Sequence, residues 1–284
     1  MKKDITKEFK VDFIGIGAPK AGTTWVSECL KEHPEVCFSN RKETNFFLSE
    51  NFSRGNSWYQ KHFNHCVEGK KKGEFSPNYL YDSAVPENIK KHSPNAKLIV
   101  ILRDPVKRLE SALLFEHSMG RYGNKTPQEV FNENKKFYLE KGLYYKHLTP
   151  FFNTFPKEQV LVLMYEDIEK DPLLFIQNIF RFIGIDSTFI PKNLLEKHNV
   201  TGTNRLRVPF INKTIYRLRK NLLKNTLFVK ILKFLRINKL ARIILNLNRR
   251  DAASSLKKST VPIFDPVIRE WIRNYYATNI KLKK

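Results

Sequence analysis

No stretch of this chain is apolar for long enough to cross a bilayer, and the charged N-terminus up to Val11 contains no apolar leader segment. That pattern predicts a cytoplasmic protein, most simply a bacterial one. Cysteine is scarce: Cys29, Cys37 and Cys66 are the three in 284 residues. Their spacing forms neither a disulfide framework nor paired metal-ligand motifs, which fits a reducing compartment. The cluster His62-Phe63-Asn64-His65-Cys66 lacks the second ligand pair that a zinc site needs. Acidic residues are absent between residues 205 and 250, where fourteen lysines and arginines fall. Patterns of helix-turn-helix, zinc-finger or RNA-binding modules are also missing, which argues against specific nucleic-acid recognition.

Positive charge and aromatic residues are plentiful. The net charge of +23 predicts a surface that attracts polyanions: nucleic acid, acidic lipid, an acidic glycan or an anionic cofactor. A hydrophobic content of 41%, with 22 Phe and 11 Tyr, supports a sizeable core and excludes a disordered polybasic chain. The length fits one large α/β domain with additions.

The rest of the chain is organised around Phe13-Ile14-Gly15-Ile16-Gly17-Ala18-Pro19-Lys20-Ala21-Gly22-Thr23-Thr24-Trp25. An apolar strand ends in a glycine, a proline and a lysine, and a second glycine with two threonines opens a helix. The first N–H groups of a helix lack internal partners and carry the positive end of its dipole, so such a loop binds phosphate-like anions. Gly17, Gly22 and Thr24 fit the nucleoside-triphosphate loop G-x-x-x-x-G-K-[ST], but Thr23 stands where its lysine belongs and Lys20 lies three residues earlier. A different phosphate-like ligand is therefore expected, with an unliganded strand-to-helix turn as the plain alternative.

Pro19-Lys20-Ala21-Gly22-Thr23-Thr24-Trp25 resembles the 5′-phosphosulfate loop of sulfotransferases that use 3′-phosphoadenosine 5′-phosphosulfate (PAPS). The likeness extends to Arg41-Lys42-Glu43-Thr44-Asn45-Phe46-Phe47, which comes after a short buried strand, Val36-Cys37-Phe38. On pattern alone this is an exposed charged loop. In heparan sulfate sulfotransferases and their bacterial relatives, a Lys-Glu-x-x-Phe-Phe motif at this distance carries the catalytic base. The resemblance implies that role for Glu43, with Lys42 and Asn45 as acceptor-side residues; a carboxylate suits a hydroxyl that must lose its proton.

Two further motifs bear on the ligand. The apolar run Lys97-Leu98-Ile99-Val100-Ile101-Leu102 reads as a central parallel strand ending in Arg103, and a helix over 106–119 carries Ser111. Read alone, Arg103 is an ion-pair partner of Asp104 or Glu110; the resemblance makes Arg103 and Ser111 a 3′-phosphate site, apt for an arginine fork with a hydroxyl. Gly73-Glu74-Phe75-Ser76-Pro77-Asn78-Tyr79 resembles the family's Glu-Lys-Ser/Thr-Pro-x-Tyr segment, with Phe75 in place of lysine. Lys257 and Lys258 resemble the loop that closes over the adenosine 3′-phosphate.

Elsewhere, residues 52–63 read as an amphipathic helix, 128–139 and 143–152 as helices, 159–165 as a buried strand, 172–183 as a helix stopped by Gly184, and 266–280 as a final helix. The alternation predicts a P-loop-like three-layer α/β fold, a central parallel sheet flanked by helices, with basic C-terminal helices added. A single sulfotransferase domain over 1–284 is expected, comprising a nucleotide-binding core to 203, basic amphipathic helices over 204–250 and a closing segment over 251–284. Those helices suit packing with a solvated face, docking on an anionic membrane, or lining a glycan channel.

The resemblance implies in-line sulfuryl transfer from PAPS to a hydroxyl of a glycan or glycolipid, leaving adenosine 3′,5′-bisphosphate. Glu43 would take the proton, Lys20 would stabilise the leaving phosphate, and backbone N–H groups of Ala21, Gly22, Thr23, Thr24 and Trp25 would hold it. Positioning and cations suffice for such a reaction without a metal. Two alternatives remain at this level: an ATP-dependent P-loop-like phosphotransferase, or a non-catalytic basic protein on membranes or polyanions.

Overall fold

A computed structural model describes residues 9–119, 121–122, 125–195, 204–206, 249–251 and 263–280. Five strands, β1 (Phe13–Gly17), β2 (Val36–Phe38), β3 (Lys71–Phe75), β4 (Lys97–Leu102) and β5 (Val160–Met164), pair in the order β2-β3-β1-β4-β5. Every pairing within this sheet is parallel, which puts the C-terminal ends of β1 and β4 side by side. β1 is buried at all five positions, as its apolar sequence requires.

Glycines set the register between β1 and β3. Phe13 lies opposite Gly73 and Gly15 opposite Phe75. A Cβ at Gly73 would come within 2.4 Å of the Phe13 ring, and one at Gly15 within 2.0 Å of the Phe75 ring. Each strand thus leaves room for the other's aromatic ring. Phe75, 1% exposed, is a core residue where the resembled family carries lysine.

The helices obey their sequence signals where those signals are strong. In α1 (Thr23–Glu32) and α4 (Pro105–Ser118) the helix starts directly after a strand-end loop. α3 spans Val85–His92 and α7 Tyr144–Thr154. α8 (Tyr165–Lys170) leads into α9 (Pro172–Ile183), which Asp171 caps by accepting from the Leu174 N–H at 2.9 Å and Gly184 stops at φ 75°. The expected helix over 52–63 is instead broken: Gly55 at φ 78° separates a 3₁₀ turn from α2 (Asn56–Gln60), and a second 3₁₀ turn comes next. Tyr59 and Phe63 still point into the core. The expected helix over 128–139 divides at Asn134 into α5 (Pro127–Glu133) and α6 (Lys135–Glu140).

The chain forms two compact units, one of residues 1–108, 141–198 and 279–284, the other of 109–140 and 199–278. The first holds the parallel sheet. In the second, α10 (Pro266–Ile280) packs on α6 through Tyr276, whose hydroxyl donates to the Leu139 carbonyl at 3.2 Å, and Arg269 pairs with Glu110 at 3.1 Å. Short strands β6 (Asn204–Leu206) and β7 (Arg249–Asp251) pair antiparallel in this unit. The rest of the basic segment lies outside the described residues.

Candidate active site

The loop after β1 is shaped by a break in the β1–β4 ladder between Gly15 and Gly17, beyond which the Ala18 N–H donates to the Ile101 carbonyl at 2.8 Å. A bulge of this kind bends a strand and re-aims the residues beyond it. Lys20 at φ 72° and Gly22 at φ 80° then turn the chain into α1. The first turn of α1 has neither an acidic residue nor a side-chain cap, so its N–H groups keep their capacity for an anion.

Cations gather at this loop. Arg103, at the end of β4, donates through Nη1 to the Lys20 carbonyl at 3.0 Å, and its guanidinium lies 4.4 Å from the Tyr165 ring centre. Tyr144 fixes the same residue from its other side, donating to the Arg103 carbonyl at 2.8 Å. Arg103 Nε is buried without a partner among the described residues. Burial lowers the Lys20 ammonium to about 8, and the charges of Arg103 and Lys42 contribute to that fall. Lys42 reaches the same place from the loop after β2, its Nζ donating to Thr24 Oγ1 at 2.7 Å. A lysine pressed by two cations beside an unsatisfied guanidinium N–H and an uncapped helix start is a fit for a phosphate-bearing anion.

Glu43 comes directly after Lys42 and is part-exposed, and it takes no hydrogen bond from another described residue. It is available to an incoming proton donor. Asn45, at φ 53°, is held by its N–H to Ser76 Oγ at 3.0 Å. Phe46 and Phe47 are buried, Phe46 stacked on the Tyr59 ring and Phe47 meeting it edge-on.

Of the residues singled out in the sequence, Lys20, Thr24, Lys42 and Arg103 are brought together by these contacts. Ala21, Thr23 and Trp25 turn their side chains into the protein, Trp25 donating from its indole to the Leu194 carbonyl at 3.3 Å, so they offer backbone only. Ser111 is buried on α4 within the second unit. Lys257 and Lys258 lie outside the described residues.

Tyr165, Glu166 and Glu74 were given no role on the sequence alone. Tyr165 lies under the Arg103 guanidinium, and Glu166 accepts the N–H of Asp104 at 3.0 Å, fixing the residue after Arg103. The available signal was the acidic pair one residue beyond β5, the strand next to the one that leads to Arg103; β5 itself is half-exposed at Val162 and Met164, an edge strand where a buried one was expected.

The cysteine reading is corrected: Cys37 on β2 and Cys66 after the second 3₁₀ turn form a disulfide, their Cα atoms 5.7 Å apart. Residues 29 apart in sequence reach each other because β2 pairs with β3 and the connection between them folds back. Cysteine usage therefore no longer points to a reducing compartment. His65 sits beside the bridge, and Cys37, His65 and Cys66 form a compact group, two of whose three ligand atoms are taken by the disulfide.

The sulfotransferase domain family matches residues 10–237. The chain belongs to that family. Its relatives include the membrane-associated sulfotransferase kil1 of Dictyostelium discoideum, 26% identical over 279 residues, covering 65% of this chain and 59% of that protein. The mouse heparan sulfate glucosamine 3-O-sulfotransferase 3A1 is 29% identical over 191 residues, covering 63% of this chain and 47% of that protein. The chain thus spans about half the length of the curated sulfotransferases it matches. Among solved structures, a sulfotransferase from Alicyclobacillus acidocaldarius superposes with a TM-score of 0.61 at 21% identity, covering 76% of this chain and 94% of that one. Mouse sulfotransferase SULT7A1, solved in complex with PAP, superposes at 0.52 and 16% identity, covering 98% and 86%. The sulfotransferase fold expected from the sequence is thereby established.

Proposed function

We propose that this sulfotransferase-family chain moves a sulfuryl group from PAPS to a hydroxyl of a glycan or glycolipid. The observation that carries the reading is the gathering of Lys20, Lys42 and Arg103 at the uncapped start of α1, with Glu43 next to Lys42. PAPS supplies an activated sulfuryl group on a phosphate. Lys20 and the N–H groups of residues 22–25 hold the phosphate side and offset charge as it develops on the leaving oxygen, while the Ala21 N–H donates within the loop to the Ala18 carbonyl at 3.3 Å. Arg103 presents its buried Nε–H to the donor. Glu43 accepts the acceptor's proton. The glycan class is drawn from the resemblance in the Glu43 motif and from the heparan sulfate enzymes among the relatives. The basic segment over 205–250 is suited to hold an anionic glycan or to rest on an anionic membrane surface.

The test is PAPS turnover, measured as release of adenosine 3′,5′-bisphosphate, with unsulfated and N-sulfated glycosaminoglycans and with glycolipid vesicles. Acceptor-dependent release that disappears in Glu43→Gln supports the assignment. Phosphate transfer from ATP with magnesium, and none from PAPS, would replace it with the phosphotransferase reading.

A further inference from the structure

Glu74 is fully buried at the end of β3 and is surrounded by five donors. Oε1 accepts from Thr44 Oγ1 at 2.5 Å, the Tyr79 hydroxyl at 2.7 Å and the Tyr59 hydroxyl at 3.2 Å. Oε2 accepts from Ser76 Oγ at 2.7 Å and the Thr44 N–H at 3.2 Å. Three of these partners pass the connection on to the loop after Glu43. Asn45 donates its N–H to Ser76 Oγ at 3.0 Å, Phe46 to Thr44 Oγ1 at 3.3 Å and Phe47 to the Tyr79 hydroxyl at 3.2 Å. The four consecutive N–H groups of residues 44–47 therefore end on one carboxylate or on its direct partners.

This segment has no helix or strand to satisfy its backbone, and Thr44, Phe46 and Phe47 are buried. Buried N–H groups without partners are costly, so a loop of this kind needs a scaffold built for it. We propose that Glu74 is the positioning residue of the catalytic loop: through Thr44, Ser76 and Tyr79 it fixes the backbone immediately after Glu43 and so sets where the Glu43 carboxylate stands. The proposal rests on Glu43 being the base. Burial raises the Glu74 carboxyl, while its hydroxyl and N–H donors oppose that and favour the anion. Burial and the Glu74 charge push the Tyr59 and Tyr79 phenols up, which keeps them donors. Phe75 packs toward Gly15 and Glu74 to the other face, so strand alternation separates core filling from loop support.

Glu74→Gln tests this, because it keeps the shape while replacing one acceptor oxygen by a donor. Two readouts are needed: amide hydrogen exchange over 44–47, and PAPS turnover with N-sulfated heparosan as the probe acceptor. Exchange over 44–47 is expected to accelerate about tenfold or more while 98–102 stays protected. Turnover is expected to fall about 30-fold with the KM for PAPS within about twofold of wild type, as misplacement of a base would give. Ser76→Ala, which removes the link to Asn45 and one of the five donors to Glu74, gives the same pattern at smaller size and serves if Glu74→Gln does not fold. Unchanged exchange over 44–47 in a folded variant overturns the proposal, as does accelerated exchange with undiminished turnover. If Glu43→Gln is fully active while Glu74→Gln still loosens 44–47, the base assignment has failed and the anchoring of the loop stands.

Discussion

Two polar clusters lie at the ends of neighbouring strands, and they treat charge in opposite ways. Beyond β1, Lys20 is pressed by the cations Arg103 and Lys42, and Arg103 keeps a buried N–H without a described acceptor. At the end of β3, Glu74 carries one negative charge met by five donors. The first arrangement is electrostatically unfavourable by itself and becomes favourable when an anion arrives. The second is complete without any ligand. Charge left crowded marks where a substrate belongs, and charge fully satisfied marks the scaffold that holds the site's shape.

If that division is right, changes in the two clusters separate binding and turnover from stability. The largest effect is expected at the base that the scaffold supports: Glu43→Gln should lower turnover by about 10²- to 10⁴-fold with bisphosphate affinity unchanged in calorimetry. Glu74→Leu leaves five donors facing an apolar side chain and should cost about 3 kcal/mol in denaturant unfolding. Arg103→Ala should do the reverse, weakening adenosine 3′,5′-bisphosphate by about 10- to 100-fold with little loss of stability, since it removes a charge-assisted contact to the ligand. Equal losses of stability and affinity in both variants would erase the distinction between the clusters.

Lys20 supplies a pH test. Its folded-state value near 8 lies below the ordinary 10.5, so between those limits the unfolded chain binds more protons and this group's contribution to stability rises with pH. Anion binding runs the other way. The ligand favours protonated Lys20, so bisphosphate affinity should hold below pH 8 and fall above it, read from calorimetric titrations across about pH 7 to 9.5. Lys20→Arg, which stays charged, should flatten that fall. The smallest effect is expected for Gly22→Ala, about 1–2 kcal/mol of stability, because φ is 80° and the new Cβ meets Tyr165 and Ile168 at 3.0 Å.

The elements with strong local signals were legible in the sequence. β1, β4 and α9 announce themselves through continuous apolar runs, an Asp-Pro start and a glycine stop, and Lys20 and Arg103, both singled out in the sequence, are brought into contact by the fold. β3 was not, since Lys71-Lys72-Gly73-Glu74-Phe75 has two lysines, a glycine and a buried acid where a strand pattern wants apolar residues. Its glycine serves the Phe13 ring and its acid serves the loop after Glu43, both of them demands from other segments. Helix breaks at Gly55 and Asn134, and the Cys37–Cys66 pairing, likewise arise from tertiary placement that periodicity does not encode.

The thermal unfolding midpoint with adenosine 3′,5′-bisphosphate, set against ATP plus magnesium, tests the central claim that the β1 loop and Arg103 form a site for the PAPS nucleotide. A ligand that binds only the folded chain at about 100 times its Kd adds about 2.7 kcal/mol. The account predicts a clear rise with the bisphosphate in magnesium-free buffer, lost in Arg103→Ala, and a smaller rise with ATP and magnesium. A larger rise with ATP and magnesium, or a bisphosphate shift that survives Arg103→Ala undiminished, would contradict it.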